Sequence, residues 1–174
     1  MTLDRSSSFF DRLRTANEPC DGRDAMERAG RFLARRARSE WEVRDALRRS
    51  RFEPDVIERT VAKLKDLDLL DDLAFARQWV EERAERKGLG PRRVVGELRA
   101  KGVDKDIAEQ ALNEAGVDDG VQAKEVAARL VRKVASRPTS QQAMRLQRML
   151  LGRGFGYEAA DAAVRAVLPP EGWD

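Results

Sequence analysis

A leucine-centred motif recurs three times along the chain and constrains the fold more than any other feature. It reads ALRRSRFEPDVIERTV from residue 46, ELRAKGVDKDIAEQAL from residue 97 and MLLGRGFGYEAADAAV from residue 149. The anchor leucines, Leu47, Leu98 and Leu150, are 51 and 52 residues apart, and each is followed five positions later by another apolar residue, which is Phe52, Val103 or Phe155. A period of this size predicts tandem modules that bury a shared apolar pattern.

Capping residues and prolines predict three helices in each copy. Ser39, Asp71 and Asp104 suit the N-cap, and Pro54 and Pro91 suit the first helical position. In the third copy Pro138 and Ser140 mark the corresponding start. We therefore expect an all-α protein with a disordered tail (1–24) and three tandem three-helix repeats (25–68, 69–117 and 118–170), stacked into an elongated body.

The segment RKGLGPRR, residues 86–93, raises the alternative of a phosphate-binding loop, because two glycines and a proline lie between basic pairs. A Walker loop needs GxxxxGK followed by Ser or Thr after a strand, and this segment has neither. Gly90 also lies 51 residues after Ser39, so it occupies the place of a helix cap in the first copy. The segment is predicted to be a turn between helices.

The residue inventory argues against an enzyme. Histidine is absent and Cys20 is the only cysteine, so the sequence has no Ser-His or Cys-His pair, no CxxC motif and no HExxH motif. Capping explains Asp71 without a metal or an acid–base role. We expect no cofactor and no metal. No apolar run is long enough to span a membrane, so a cytoplasmic protein is expected.

Charge alternates along the chain in step with the repeat, although the formal net charge is only +3. The first two predicted helices of each copy are basic, and the third is acidic. Residues 26–53, 73–101 and 121–154 carry +4, +4 and +7, whereas residues 54–72, 102–120 and 155–174 carry −3, −5 and −3. Threefold repetition favours a long acidic or polyanionic partner.

The segment LLDDLAFARQWVEERAERKGLGPRRVVGELRAKGVD, residues 69–104, resembles the core signature of the RecX family of bacterial regulatory proteins. The likeness extends over about residues 25–168 and is most specific in the middle copy. It implies a curved rod of three-helix repeats without enzymatic activity. It also implies binding to RecA filaments on single-stranded DNA, with restraint of their recombinase and ATPase activities in DNA repair, recombination and the SOS response.

Basic residues of the first two helices are the predicted contacts with RecA, with weak contact to single- or double-stranded DNA as a further expectation, and a monomer is expected. The predicted partner-binding residues are Arg35, Arg36, Arg38, Arg48, Arg49, Arg83, Arg86, Lys87, Arg92, Arg93, Arg99, Lys101, Arg129, Arg132, Lys133, Arg145 and Arg148.

Two alternatives remain at this stage. Trp79 lies on an apolar helix stripe, which favours core packing, whereas Trp41 fits either packing or stacking on a nucleic-acid base. The rival function is a sequence-reading DNA-binding array of homeodomain-like modules, in which the third helix enters the major groove. Acidic third helices oppose that interpretation, because DNA phosphates would repel them.

Overall fold

The computed structural model describes residues 20–168, except for the side chains of Cys20, Asp21, Thr139 and Ser140. This part of the chain contains nine α-helices and no strand. The helices are α1 (Cys20–Leu33), α2 (Glu40–Arg49), α3 (Pro54–Asp66), α4 (Asp72–Val80), α5 (Pro91–Ala100), α6 (Lys105–Glu114), α7 (Asp119–Leu130), α8 (Thr139–Leu151) and α9 (Tyr157–Val167). A π-helical turn (Glu81–Arg86) extends α4, and a 3₁₀ turn (Val131–Lys133) extends α7.

The first helix begins earlier than the sequence predicted. Residues 20–24, placed in the tail, form the first turn and more of α1, while residues 1–19 lie outside the described residues. Burial explains the early start, since Gly22, Ala25 and Met26 are all buried. Asp24 lies near the N-terminus of the helix, where the helix dipole favours a negative charge.

Compact packing divides the described chain into two units. The first contains residues 20–75 together with Lys101–Val103, and its core joins α1, α2 and α3. Leu47 and Leu64 are completely buried there, as is Val43. The one buried hydroxyl of α3, on Thr60, donates to the Val56 carbonyl at 2.7 Å, so it is not left unsatisfied.

The second unit contains residues 76–100 and 104–168. Helices α7, α8 and α9 surround Leu146, Leu150 and Phe155, all almost completely buried. Helix α5 packs against α6 through Val94 and Leu98, which are also fully buried. All three anchor leucines therefore lie in the core, as the repeat predicted.

A left-handed residue follows each anchor leucine by four positions. Arg51, Gly102 and Gly154 have φ angles of 63°, 76° and 92°. Glycine adopts this conformation without the steric cost that a Cβ brings, whereas arginine does not. The same turn geometry therefore ends the second helix of every copy, and only the first copy makes it with a non-glycine residue.

Helix starts agree with the predicted caps. The Ser39 hydroxyl accepts from the Glu42 amide, and the Glu42 carboxylate accepts from the Ser39 amide, forming a complete capping box. The Asp71 and Asp104 carboxylates cap α4 and α6 in the same sense. Helix α8 begins at Thr139 directly after Pro138, so Ser140 lies inside the helix rather than at its cap.

Candidate partner-binding surface

The glycine turn between α4 and α5 serves close backbone packing. The Gly90 amide donates to the Arg153 carbonyl at 2.9 Å. A Cβ on Gly90 would overlap the backbone of Gly154 and Phe155. Only glycine permits this approach, and the donor that could face an anion is already bound to protein. The prediction of a helix–helix turn is confirmed.

A π-helical turn fixes the basic residues at the start of this segment. Arg86 forms an ion pair with Glu81 at 2.6 Å, and Lys87 forms one with Glu82 at 3.0 Å. Both pairs are separated by five residues, which a π-helix aligns on one face. Hydrogen bonding from Lys87 lowers the pKa of the Glu82 carboxyl. Arg86 and Lys87 therefore have acidic partners within their own turn.

Helix α7 packs beside the same turn. The Gln122 amide donates to the Ala84 carbonyl at 2.7 Å. A Cβ on Gly88 would lie 2.9 Å from a Val126 methyl and 3.3 Å from the Arg129 guanidinium. Arg129 is exposed. The packing thus places one exposed cation of α7 next to the turn that the sequence singled out.

Two further predicted contact residues, Arg83 and Arg93, belong to the protein's own packing. Arg83 lies over the Trp79 ring, 4.4 Å from its centroid, and its side chain is 3.1 Å from the Glu97 carboxylate. The Trp79 indole donates to Glu97 at 3.2 Å, and its side chain is half-buried rather than part of the core. Arg93 forms an ion pair with Glu97 at 3.3 Å and donates to the Gly152 carbonyl at 3.0 Å.

The Glu42 carboxylate, near the start of α2, forms ion pairs with three basic residues. Its carboxylate lies 2.9 Å from Arg36, 3.6 Å from Arg38 and 3.2 Å from Lys101. Burial by itself would raise the pKa of Glu42, but hydrogen bonds from Arg36, the Ser39 amide and Lys101 hold it below its usual value. Glu42 therefore engages three of the predicted contact residues.

Nine of the predicted residues are exposed and have no ion pair within residues 20–168. The other eight, Arg49 included through Asp45 at 2.8 Å, each lie within ion-pair distance of a carboxylate. The unpaired residues are Arg35, Arg48, Arg92, Arg99, Arg129, Arg132, Lys133, Arg145 and Arg148.

Five of these nine lie on the second helices, and three of the five, Arg48, Arg92 and Arg99, occupy two positions that can be compared between the copies. Positions six before and one after each anchor leucine fall on one side of the helix. The six-before positions are Trp41, Arg92 and Met144, and the one-after positions are Arg48, Arg99 and Leu151; all six are exposed. Sequence reasoning missed Met144 and Leu151 because it considered charge alone, although the anchor spacing identifies both.

Comparison with known proteins places these helices in a family. A profile described as "RecX, first three-helix domain" matches residues 25–64, and one described as "RecX, second three-helix domain" matches residues 71–112. Regulatory protein RecX of Mycobacterium avium is 33% identical over 162 residues, which cover 90% of this chain and 92% of the relative. The chain belongs to the RecX family.

Other RecX proteins agree with this assignment. Regulatory protein RecX of Thermobifida fusca is 32% identical over 143 residues, which cover 82% of this chain and 77% of the relative. The crystal structure of RecX from Lactobacillus salivarius has a TM-score of 0.76 at 27% identity, covering 84% of this chain and 96% of that chain. The predicted family and the all-α helical repeat are both confirmed.

The described part of the RecX chain offers neither a membrane-spanning helix nor a cluster of metal ligands. None of its helices is both long and apolar enough to cross a membrane. No group of three or more His, Cys, Asp or Glu residues between 20 and 168 could hold a metal ion. The candidate partner-binding surface consists of the exposed cations of the second helices and of the end of α7.

Proposed function

We propose that this RecX protein binds RecA filaments on single-stranded DNA and restrains their recombinase and ATPase activities, without being an enzyme itself. Membership of a regulatory family supports the proposal. The observation that carries it is the set of exposed arginines without an ion pair on the second helices of all three copies. Cations without an internal ion pair are available to an acidic partner, because no existing pair has to be broken before they bind it.

The repeat makes the surface suitable for a periodic partner. Arg48, Arg92 with Arg99, and Arg145 with Arg148 recur on the same helix of successive copies. A filament presents the same acidic groups at regular intervals, so several weak contacts can act together. We propose further that the protein is a monomer of three repeats with a cytoplasmic location.

Co-sedimentation with RecA filaments tests this function most directly. We expect the protein to pellet with RecA assembled on single-stranded DNA, and to slow ATP hydrolysis and strand exchange in proportion to the amount bound. Binding should fall as salt rises, because ion pairs at an exposed interface are screened. Failure to pellet with filaments at low salt would rule the function out.

Charge reversal of two arginines on α5 tests whether these exposed cations contact the filament. Arg92→Glu with Arg99→Glu should weaken filament binding and leave the melting temperature unchanged, since neither residue has an ion pair in the described chain. Arg93 is the wrong choice for such a variant, because it binds Glu97 and the Gly152 carbonyl. The control is Glu109→Arg with Glu114→Arg on acidic α6, which should preserve filament binding although it breaks the ion pairs with Lys105 and Arg77 and lowers the melting temperature.

The rival function, a sequence-reading DNA-binding array, finds no support in the third helices. In α3, Asp55 and Glu58 are exposed, and in α6 Glu109 and Glu114 are exposed. Carboxylates on these faces would meet DNA phosphates in a major groove and be repelled. Binding of a random DNA duplex as tightly as a RecA filament would nevertheless favour this rival.

A further inference from the structure

Trp41 is an aromatic residue that the repeat does not require. It occupies the position six before the anchor leucine, where the second copy has Arg92 and the third has Met144. All three side chains are exposed, Trp41 by 44%. Because arginine and methionine occupy the same position in the other copies, the repeat itself does not require an aromatic side chain there. The exposed part of the indole is available to a ligand, and tryptophan is enriched among residues that dominate binding.

The inner edge of Trp41 is fixed, although its outer part is exposed. A Cβ on Gly102 would overlap Cβ and Cγ of Trp41, so Gly102 lets the tryptophan lie directly against its backbone. The Ser39 hydroxyl, two residues earlier, donates to the Lys101 carbonyl at 2.5 Å. Both contacts lie within the first unit. The indole is therefore held in place before a ligand arrives, which lowers the entropic cost of stacking on it.

A groove adjoins the exposed part of the indole. It has a volume of about 460 Å³ and is lined by Trp41, Phe32 and Arg38, with Arg28 and Arg49 also contributing. Ligand sites for small molecules have volumes of this order. The Arg38 guanidinium already lies over the Phe32 ring, 4.0 Å from its centroid, so this wall of the groove is a flat, cationic surface.

Charges around the groove favour an anionic ligand. Arg28 has no ion pair within the described residues, and its Nε donates to the Ser50 hydroxyl at 3.2 Å. Arg49 pairs with Asp45 on the surface, with its side chain 78% exposed, and an exposed pair of this kind is weak enough for a phosphate to compete. The other acid of the groove, Glu42, is neutralised by its three basic neighbours.

We propose that Trp41 and this groove bind an unpaired base of single-stranded nucleic acid, with Arg28 and Arg49 next to its phosphates. Aromatic side chains beside cations are the usual platforms for such strands, because every base has a face that can stack. The site belongs to the free protein. It does not depend on RecA, so the proposed function and this site can fail separately.

Binding of fluorescent oligonucleotides to the full chain tests the proposal. We expect Trp41→Leu to weaken binding of a dT oligonucleotide by about 5-fold to 100-fold, the fold-change that loss of one base stack predicts. Leucine keeps the Cβ and Cγ that touch Gly102, so the melting temperature should be unchanged. Trp41→Phe should lose less affinity, because it retains an aromatic face.

An abasic oligonucleotide of the same length is the matched ligand control. It carries the phosphates without the bases, so wild type should bind it less tightly than dT, and Trp41→Leu should not change its affinity. Quenching of tryptophan fluorescence by dT should be larger in wild type than in Trp41→Phe, which separates Trp41 from Trp79 and Trp173. A uridine oligonucleotide run in parallel identifies whether DNA or RNA is the better ligand.

Three results would overturn the site. The first is equal affinity of wild type and Trp41→Leu for dT, and the second is equal loss of affinity for dT and the abasic strand. The third is binding of poly-glutamate that quenches Trp41 as strongly as dT does, which would make the groove a docking site for acidic protein. If Trp41→Leu proves unstable, the quenching difference between wild type and Trp41→Phe decides.

Discussion

The two ends of the described chain differ in how many of their basic residues form ion pairs. Between residues 31 and 65, seven arginines and lysines form ion pairs with nearby carboxylates. Between residues 121 and 153, the described chain provides no ion pair for any of eight. The stretches differ in acids: residues 26–53 contain five, whereas residues 121–154 contain only Glu125.

This difference separates cations that build the protein from cations that remain available to a partner. Glu40 shows the first kind, since Arg44 and Lys65 contact it at 3.0 and 2.7 Å. Burial by itself would raise the pKa of Glu40, but these two contacts lower it. Arg145 and Arg148 are the second kind. Exposed charges without a partner contribute little to stability, so a surface role is the better explanation for them.

The exposed cations of the second unit need a stable core beneath them. A charge placed in that core should have the largest effect on stability of all the changes considered. Leu98→Asp puts a carboxylate at a completely buried anchor position of α5. We expect a loss of several kcal/mol in the free energy of unfolding, because the charge has no buried partner. Thermal melting monitored by circular dichroism measures it. Ala100→Asp, at the exposed end of the same helix, should change little; equal melting of the two variants would refute the repeat alignment.

The paired cations of the first unit should matter for stability, and Glu42→Gln tests this. The variant removes the carboxylate that Arg36, Arg38 and Lys101 share, so we expect a loss of about 2 kcal/mol near neutral pH. The pKa of Glu42 is lowered in the folded state. Its contribution is therefore present above its unfolded pKa of about 4.3 and is lost as pH falls through the lower folded value.

Melting temperatures between pH 7 and pH 3 measure this linkage. Wild type should lose more stability than Glu42→Gln across that range. Asp72 contributes to the pH dependence of stability with the opposite sign, because burial raises its pKa in the folded state despite a hydrogen bond from the Glu40 amide. A Glu42→Gln variant with wild-type stability at pH 7 would show that the paired cations are not structural.

The unpaired cations of the third copy should matter for binding instead. Arg145→Glu with Arg148→Glu should weaken binding to RecA filaments by about tenfold, or ~1.4 kcal/mol, and leave the melting temperature unchanged. Salt titration of co-sedimentation measures the loss, which should shrink as salt rises. Arg31→Glu with Arg59→Glu makes the same charge change at exposed residues that have ion-pair partners. Equal loss from both variants would mean that only net charge matters.

Sequence pattern predicted the scaffold better than the surface. The anchors Leu47, Leu98 and Leu150 are all buried, because a repeated apolar position reports burial directly. Which cations form ion pairs depends on local backbone geometry, and the sequence pattern does not predict that geometry. Arg86 and Lys87 meet acids five residues earlier only because the end of α4 is a π-helix, whereas an α-helix would align residues three or four apart.

The exposed apolar positions were missed for a related reason. Charge counting identified Arg145 and Arg148, yet it passed over Met144, which is 55% exposed beside them. Trp41 was left open because its exposure depends on a glycine 61 residues later, and no local pattern connects the two. The exposure of equivalent positions in the three copies indicates which side chains are available to a partner, and the local sequence does not.

The smallest expected effect comes from the turn after the second helix, where the first copy again differs from the others. Arg51 has a φ of 63°, whereas the equivalent Gly102 and Gly154 accept positive φ without strain. Arg51→Gly should relieve that strain and stabilise the protein by about 0.5–1 kcal/mol, less than the full strain because glycine also gains entropy in the unfolded chain. Urea unfolding measures the gain as a shift of the midpoint at constant slope.

Arg51→Ala keeps a Cβ and removes the same charge, so it should bring no gain. If alanine stabilises as much as glycine, the charge of Arg51 rather than its backbone conformation is the source, since four other arginines lie within the eight residues on either side of it.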